Sequence, residues 1–185
     1  EAFTHAVDCV VIEPPTMKNA GSNHFQMFDL SFYVPSGVIR SANKHDIRME
    51  GFVGGLKWPL RFPIRFAQRG NVQRIDYAGH LPAPLTVSFL GPARDPRVNN
   101  ITSGKYIQLD VELRENERIV VDNAPAGPKV YLEYNGAVTP AFHRIDPDCD
   151  LGDFDLALGI NDLNYVAGAG NPVAGLCWHD LYTGV

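Results

Sequence analysis

Apolar and polar residues alternate with a period of two along much of the chain. Leu85, Val87 and Phe89 are separated by Thr86 and Ser88. Ile107, Leu109, Val111 and Leu113 are separated by Gln108, Asp110 and Glu112. Such alternation turns one side of an extended chain to a core and the other to water, which predicts half-buried strands. Further strands are predicted over Asn71 to Tyr77, Arg118 to Val121, Lys129 to Tyr134, Leu163 to Val166 and Ala174 to Tyr182. Turn signals stand between them: Pro82 to Pro84, Gly91-Pro92, Ser103-Gly104, Gly127-Pro128, Asn135-Gly136 and Gly168 to Pro172. Strands of this length with this punctuation predict an all-β antiparallel sandwich. No segment has the 3.6-residue period of an amphipathic helix.

The first seventy residues follow a different course. Phe28, Leu30, Phe32 and Val34 alternate with Asp29, Ser31 and Tyr33, and Asp8 to Glu13 reads as a buried strand. Ser36 to Asp46 is polar and reads as a loop. Pro59 and Pro63, flanking Leu60 to Phe62, argue against a central strand there. A boundary therefore falls between residues 35 and 70. The part before it reads as the end of one β domain, and the part after it as a complete smaller sandwich. A truncation beginning near Asn71 is expected to fold alone.

Composition narrows the function classes. The 185 residues suit one or two domains, and 17 glycines and 14 prolines suit many short strands joined by turns. A net charge of −5 offers no general field to collect phosphates, so nucleic acid is not an expected partner. Cys9, Cys149 and Cys177 are odd in number and far apart, and are read as ordinary thiols. No apolar run reaches the ~20 residues of a membrane helix, and the N-terminus lacks a signal-peptide pattern. Opening on Glu1-Ala2-Phe3 without an initiator Met reads as an excised or processed product.

Candidate chemistry is sparse, and the chain is read as a non-enzyme. The histidines at 5, 24, 45, 80, 143 and 179 have no metal-ligand spacing. Cys177 and His179 would share a strand face, about 7 Å apart by strand rise. They lack an orienting third group or an oxyanion signature, so no catalytic residue is assigned. Asp146, Asp148, Asp150, Asp153 and Asp155 imitate the start of a calcium loop. Leu151 and Ala157 stand where that loop needs Gly and Glu, however, so a solvated acidic loop is expected, with no metal and no cofactor. Asn100-Ile101-Thr102 is formally a glycosylation triplet, but Asn100 is read as a turn residue bonding the backbone. Trp58 and Trp178 could each offer a sugar-stacking face. Trp178 is expected instead in the core, facing opposite to Cys177 and His179.

From Ile75 onward, several short motifs occur in an order that resembles a known family. Tyr77-Ala-Gly79 with Pro82-Ala-Pro84 leads to a strand ending in Gly91-Pro92. Pro96-Arg-Val98-Asn-Asn100-Ile-Thr102-Ser-Gly104 is similar to "P-x-I-x-N-x-T-T-G". Leu109 to Leu113 with Glu117-Arg-Ile119-Val-Val121-Asp122 is similar to "L…L-x-x-G-E-x-L-x-I-D". Leu156 to Asn161 and Trp178 to Val185 complete the series as "L-x-P-G-x-N" and "W-x-x-x-Y-x-G-V". Together they resemble the C-terminal domain of the siphophage distal tail (minor tail) protein family, and Phe25 to Val34 resembles the last strand of that family's N-terminal belt. Asn116 stands where the family prefers Gly, Leu158 where it prefers Pro, and Phe154 near its usual Trp.

The resemblance implies residues 1–40 as the end of a belt-like β domain, 41–70 as a linker, and 71–185 as a galectin-like, jelly-roll-type sandwich. It also implies a virion structural protein of the tail tip, joining tail tube to tip or host-adhesion device. Its partners would be itself, in a ring of hexameric type, and other tail proteins. It would be found in the virion tail after assembly in the bacterial host cytoplasm. The alternative function is a carbohydrate-binding sandwich that adheres to host cell-wall glycan, although the His-Asn-Arg-Trp-Glu set of sugar-binding galectins is not visible. Aromatics on an exposed sheet among Asn, Asp and Arg would favour glycan binding. A dry aromatic interior with a self-contact would favour architecture.

Overall fold

The computed structural model describes residues 4–19, 26–53, 72–170 and 172–183. The early strands are β1 (His5–Ala6), β2 (Val10–Asn19), β3 (Gln26–Tyr33), β4 (Val38–Ser41), β5 (His45–Glu50) and β6 (Phe52–Val53). Then come β7 (Gln73–Tyr77), β8 (Ala83–Pro84), β9 (Thr86–Leu90), β10 (Ala93–Arg94), β11 (Arg97–Asn100), β12 (Lys105–Gln108), β13 (Glu112–Leu113), β14 (Arg118–Asp122), β15 (Lys129–Tyr134) and β16 (Ala137–Pro140). A 3-10 turn over Phe142–Arg144 leads to β17 (Asp155–Leu156), β18 (Gly159–Ala167), β19 (Ala169–Gly170), β20 (Val173–Trp178) and β21 (Leu181–Thr183). The chain is all-β, and among the described residues there is no α-helix.

Two larger sheets form the body. One runs β16-β15-β14-β9-β20-β5, and the other runs β12-β11-β18-β6 with β7 also on β18. The predicted alternation explains the core between them. Val87, Phe89, Ile119, Val121, Ala174 and Leu176 of the first sheet belong to the same buried cluster as Val98, Ile107, Leu163 and Tyr165 of the second. Phe89 and Tyr165 meet across the gap with ring centroids 5.9 Å apart. Burying a large apolar side chain contributes about 1.5–3 kcal/mol, so this one cluster accounts for much of the driving force. Trp178 is 7% exposed and joins the core as its alternation requires, its ring stacked on His45 at 5.1 Å.

The expected linker 41–70 is partly built into this body. β5 pairs residue for residue with β20, from Val173 opposite Glu50 to Trp178 opposite His45. Met49 is buried and Ile47 packs on the core, so the inward side of β5 closes one margin of the sandwich. Gly51 lies so close to the Tyr165 ring that an added Cβ would come within 2.8 Å of it. Residues 54–70 lie outside the described residues. The loop expected over Ser36 to Asp46 also contains β4, a short strand held by its backbone ladders to β1 and β21 rather than by apolar burial. Ala174 to Tyr182, expected as one strand, breaks at His179-Asp180 and passes from the six-stranded sheet to the β1-β4-β21 sheet.

The free margins of the body are guarded. At one margin β16 ends in Pro140, which has no N–H to offer an incoming strand. At the other, β5 displays His45, Asp46, Arg48 and Glu50 to solvent. The turn between β15 and β16 places Asn135 at φ 50° and Gly136 at φ 80°, the left-handed pair that a tight hairpin needs.

Two stability outcomes follow. Trp178→Ala should destabilise the chain by about 3–5 kcal/mol in denaturant melts, through the cavity it leaves. A chain beginning at Lys44 should melt well above one beginning at Asn71, because only the longer one keeps the β5 ladder and Met49. Equal melting temperatures by circular dichroism would show β5 to be dispensable.

Candidate functional site

The most unusual surface is the ribbon formed by β2 and β3, which pair with each other and, among the described residues, with no other strand. The ladder sets Val10 opposite Tyr33, Val11 opposite Phe32, Glu13 opposite Ser31, Thr16 opposite Asp29 and Met17 opposite Phe28. Register shifts on either side of Glu13 absorb Ile12 and the Pro14-Pro15 pair, which have no ladder partners. Cross-strand partners share a face and alternate residues change face. Val11, Phe28, Leu30 and Phe32 therefore fall on one face, together with Met17. Glu13, Thr16, Asp29 and Ser31 fall on the other.

The apolar face lies outside the core. Phe28 is 63% exposed, Phe32 53%, Val11 52% and Leu30 41%. The strands predicted over Asp8 to Glu13 and Phe28 to Val34 are thus present, but the expected burial of Asp8 to Glu13 is not: Val10, Val11 and Ile12 are all exposed. The alternation encodes a buried face that the sandwich does not cover. An isolated two-stranded ribbon is at best marginally stable in water, and a contiguous exposed apolar face marks an interaction surface. β3 also carries no proline and no cationic residue to blunt its outer edge.

At the foot of the ribbon an apolar socket of about 380 Å³ is lined by Ala6, Val7, Val34, Gly37 and Ile39, with His5 beside them. Val7 and Val34 flank the two strands, so the socket sits at the ribbon's root. Cys9 is exposed in the same stretch.

Cys177 and His179 line a groove of about 560 Å³ with Arg40, Lys44, Thr86 and Asp122. His179 Nδ1 donates to the Ser41 carbonyl at 2.9 Å, and Thr86 Oγ1 donates to Asp122 at 3.2 Å. Burial pushes the Cys177 thiol up, which keeps it protonated and a poor nucleophile. Burial raises Cys149 in the same way. His5 and His80 pack edge-on against Tyr182, each with centroids 5.2 Å apart. His24 and Trp58 lie outside the described residues.

The acidic loop bonds its own turn and the neighbouring β12. Asp146 accepts from the Asp148 N–H at 3.0 Å and Asp150 from the Tyr106 N–H at 2.9 Å, while Asp153 pairs with Lys105 at 2.6 Å. Burial raises the Asp155 carboxyl. Among the described residues, no three His, Cys, Asp or Glu side chains converge as a metal ion would need.

Three buried asparagines staple the surrounding loops. Asn100 accepts from the Thr102 and Ser103 N–H groups at 3.1 and 3.2 Å and donates to Asn161, the turn role read from its sequence. Asn161 bonds the backbone of Ala157 on both sides, and Asn123 bridges Gly152 and Phe154. The sequence offered Asn100 as a turn residue and Asn161 only as the end of the Leu156 to Asn161 motif, without its backbone-bonding role, while Asn123 carries no local motif.

The outer face of the five-stranded sheet carries Arg97, Asn99, Gln108 and Asn164 around Tyr106. Asn99 donates to Asn164 at 2.8 Å, and the Arg97 guanidinium carbon lies 3.7 Å from the Tyr106 ring centre. The aromatic face a sugar would stack on is occupied by the chain's own arginine.

Stripping divalent metal with a chelator should leave the melting temperature unchanged. A fall of several degrees, restored by calcium, would assign a site to the Asp146–Asp155 loop. No protein-family model matches the chain, and neither a curated protein nor a solved structure matches it.

Proposed function

We propose that this protein is a structural component of a phage tail tip, a β-sandwich that assembles through its β2–β3 ribbon into a homo-oligomeric ring joining the tail tube to the tip or host-adhesion device. The observation that carries the assembly role is the apolar face of Val11, Phe28, Leu30 and Phe32 on a ribbon that the sandwich leaves exposed. A monomer keeping such a face in water would lose the burial that its alternating sequence encodes. A ring of identical copies covers it repeatedly with a single contact.

The phage-tail context and the galectin-like form of the sandwich rest on the ordered motifs from Ile75 to the C-terminus. One departure from the family pattern is conformationally conservative: Asn116, standing where glycine is preferred, has φ 64°, the left-handed region that Asn tolerates better than most residues. The site of action would be the virion tail, after assembly in the host cytoplasm. The glycan-binding alternative has less support, because Trp178 is in the core and Tyr106 lies beneath Arg97.

Light scattering after size-exclusion chromatography should give a discrete oligomer, with rings in negative-stain images. Phe28→Asp with Phe32→Asp should return the chain to monomer without altering its circular dichroism, since neither side chain is in the core. A wild-type chain that stays monomeric at high concentration sinks the assembly role.

A further inference from the structure

We infer that the groove between the six-stranded sheet and the β1-β4-β21 sheet binds a short peptide with free termini, its carboxylate on Lys44 and its ammonium on Asp122. The site uses no residue of the ribbon's apolar face, so it does not depend on assembly.

The floor of the groove is a row of side chains on three adjacent strands. Cys177 on β20 stands opposite Thr86 on β9, and Thr86 stands opposite Asp122 on β14. Their neighbours Leu176, Val87 and Val121 belong to the buried core, so this row lies on the outer face of the sheet. Val38 and Arg40 of β4, with Leu181 of β21, complete a cavity of about 560 Å³. A concave site of that size with a few convergent polar groups suits a small ligand.

Opposite charges stand along that floor. Burial raises the Cys177 thiol; of the charges beside it, Lys44 lowers it and Asp46 raises it. Lys44 lines the groove and Asp46 does not. Arg40, the second cation of the lining, is already paired with Asp8 at 3.2 Å. Asp122 accepts from Thr86 Oγ1 at 3.2 Å and from no other donor among the described residues, which leaves an oxygen for a ligand. Lys129 is its ladder partner on β15 but forms no ion pair with it.

The span sets the length of the ligand. Cys177 and Asp122 are two strand spacings apart, about 10 Å. An extended chain advances ~3.3–3.6 Å per residue, so the termini of a tripeptide are about that far apart. A single amino acid, with its amine and carboxylate about 3 Å apart, cannot reach both charges. Val38, Pro84, Pro125 and Leu181 give small apolar side chains a surface to pack on. Other ligand classes match the lining less well. A polyphosphate would bring its anions against Asp8 and Asp122. A neutral sugar would desolvate Lys44 and Asp122 without pairing either.

The experiment titrates the 185-residue chain with tri-alanine in free, N-acetylated and C-amidated forms, followed by NMR. The free peptide should move the amide resonances of Thr86, Asp122 and Cys177. Either cap should weaken binding about 10-fold or more, because each removes a charged hydrogen bond. Asp122→Asn should weaken the free peptide and make binding insensitive to N-acetylation, while C-amidation still weakens it. Lys44→Gln should give the converse, and unchanged circular dichroism qualifies both variants. The capped peptides act on the wild-type chain, so they decide the matter even where a variant fails to fold. A free peptide that moves no groove resonance at about 10 mM overturns the site. Capped forms that bind as tightly as the free one overturn it too, as does sensitivity to one cap alone, since both charges are required.

Discussion

Among the described residues, strands β1 and β4 join the rest of the fold at a corner, where the chain leaves β20 at His179 and re-enters a different sheet at Leu181. The backbone N–H of Ser41 donates to the Asp180 carbonyl at 2.8 Å, and the Asp180 N–H donates to the Ser41 hydroxyl at 3.1 Å. His179 donates to the carbonyl of the same serine, and His45 Nε2 lies 2.8 Å from Asp180 Oδ2. On the other flank the Tyr77 hydroxyl accepts from the Leu181 N–H at 3.0 Å and donates to the Leu81 carbonyl at 2.7 Å. Gly79 makes room for that hydroxyl, since a Cβ there would overlap it. Once the corner is set, β21 must pair with β4 and β4 with β1, and the ribbon that follows β1 has a defined root.

That dependence also explains what could be read in advance. Period-two alternation placed Val87, Phe89, Ile107, Leu109 and Leu113 inside, because a strand whose neighbours supply a core needs no other information. The same alternation at Phe28, Leu30 and Phe32 reads identically, yet these residues are exposed. Periodicity states which side of a strand requires burial, not whose atoms provide it. β5 did carry a signal, with Ile47 and Met49 alternating against Asp46, Arg48 and Glu50. Charged flanks and the nearby prolines disguised it as linker. β16 was hidden because Ala137 to Pro140 are all exposed and show no inward side. The socket could not be read at all, since Ala6, Val34 and Ile39 meet only after β1 and β4 have paired.

The buried asparagines inside the body hold the shape of its loops. Asn100, Asn123 and Asn161 each satisfy backbone groups that irregular loops leave without a ladder, which is why they are buried at no evident cost. Tyr165 is the exception: its ring packs between Phe89 and Gly51, while its hydroxyl has no hydrogen-bond partner among the described residues. Burial drives its ionisation far above the usual range, so it acts as a neutral space-filler.

The closure of the turn around Asn100 bears on how the chain can be made. Oligosaccharide transfer in a eukaryotic secretory pathway acts on Asn-x-Thr triplets while a chain is still emerging, and Asn100-Ile101-Thr102 qualifies. Here the Asn100 side chain has no exposed surface, and both of its polar atoms are committed to the turn and to Asn161. A sugar attached there before folding would occupy space the core already fills and would remove the bond donated to Asn161. The fold is thus compatible with synthesis where no such transferase operates, and a secretory host would have to be given Thr102 in altered form.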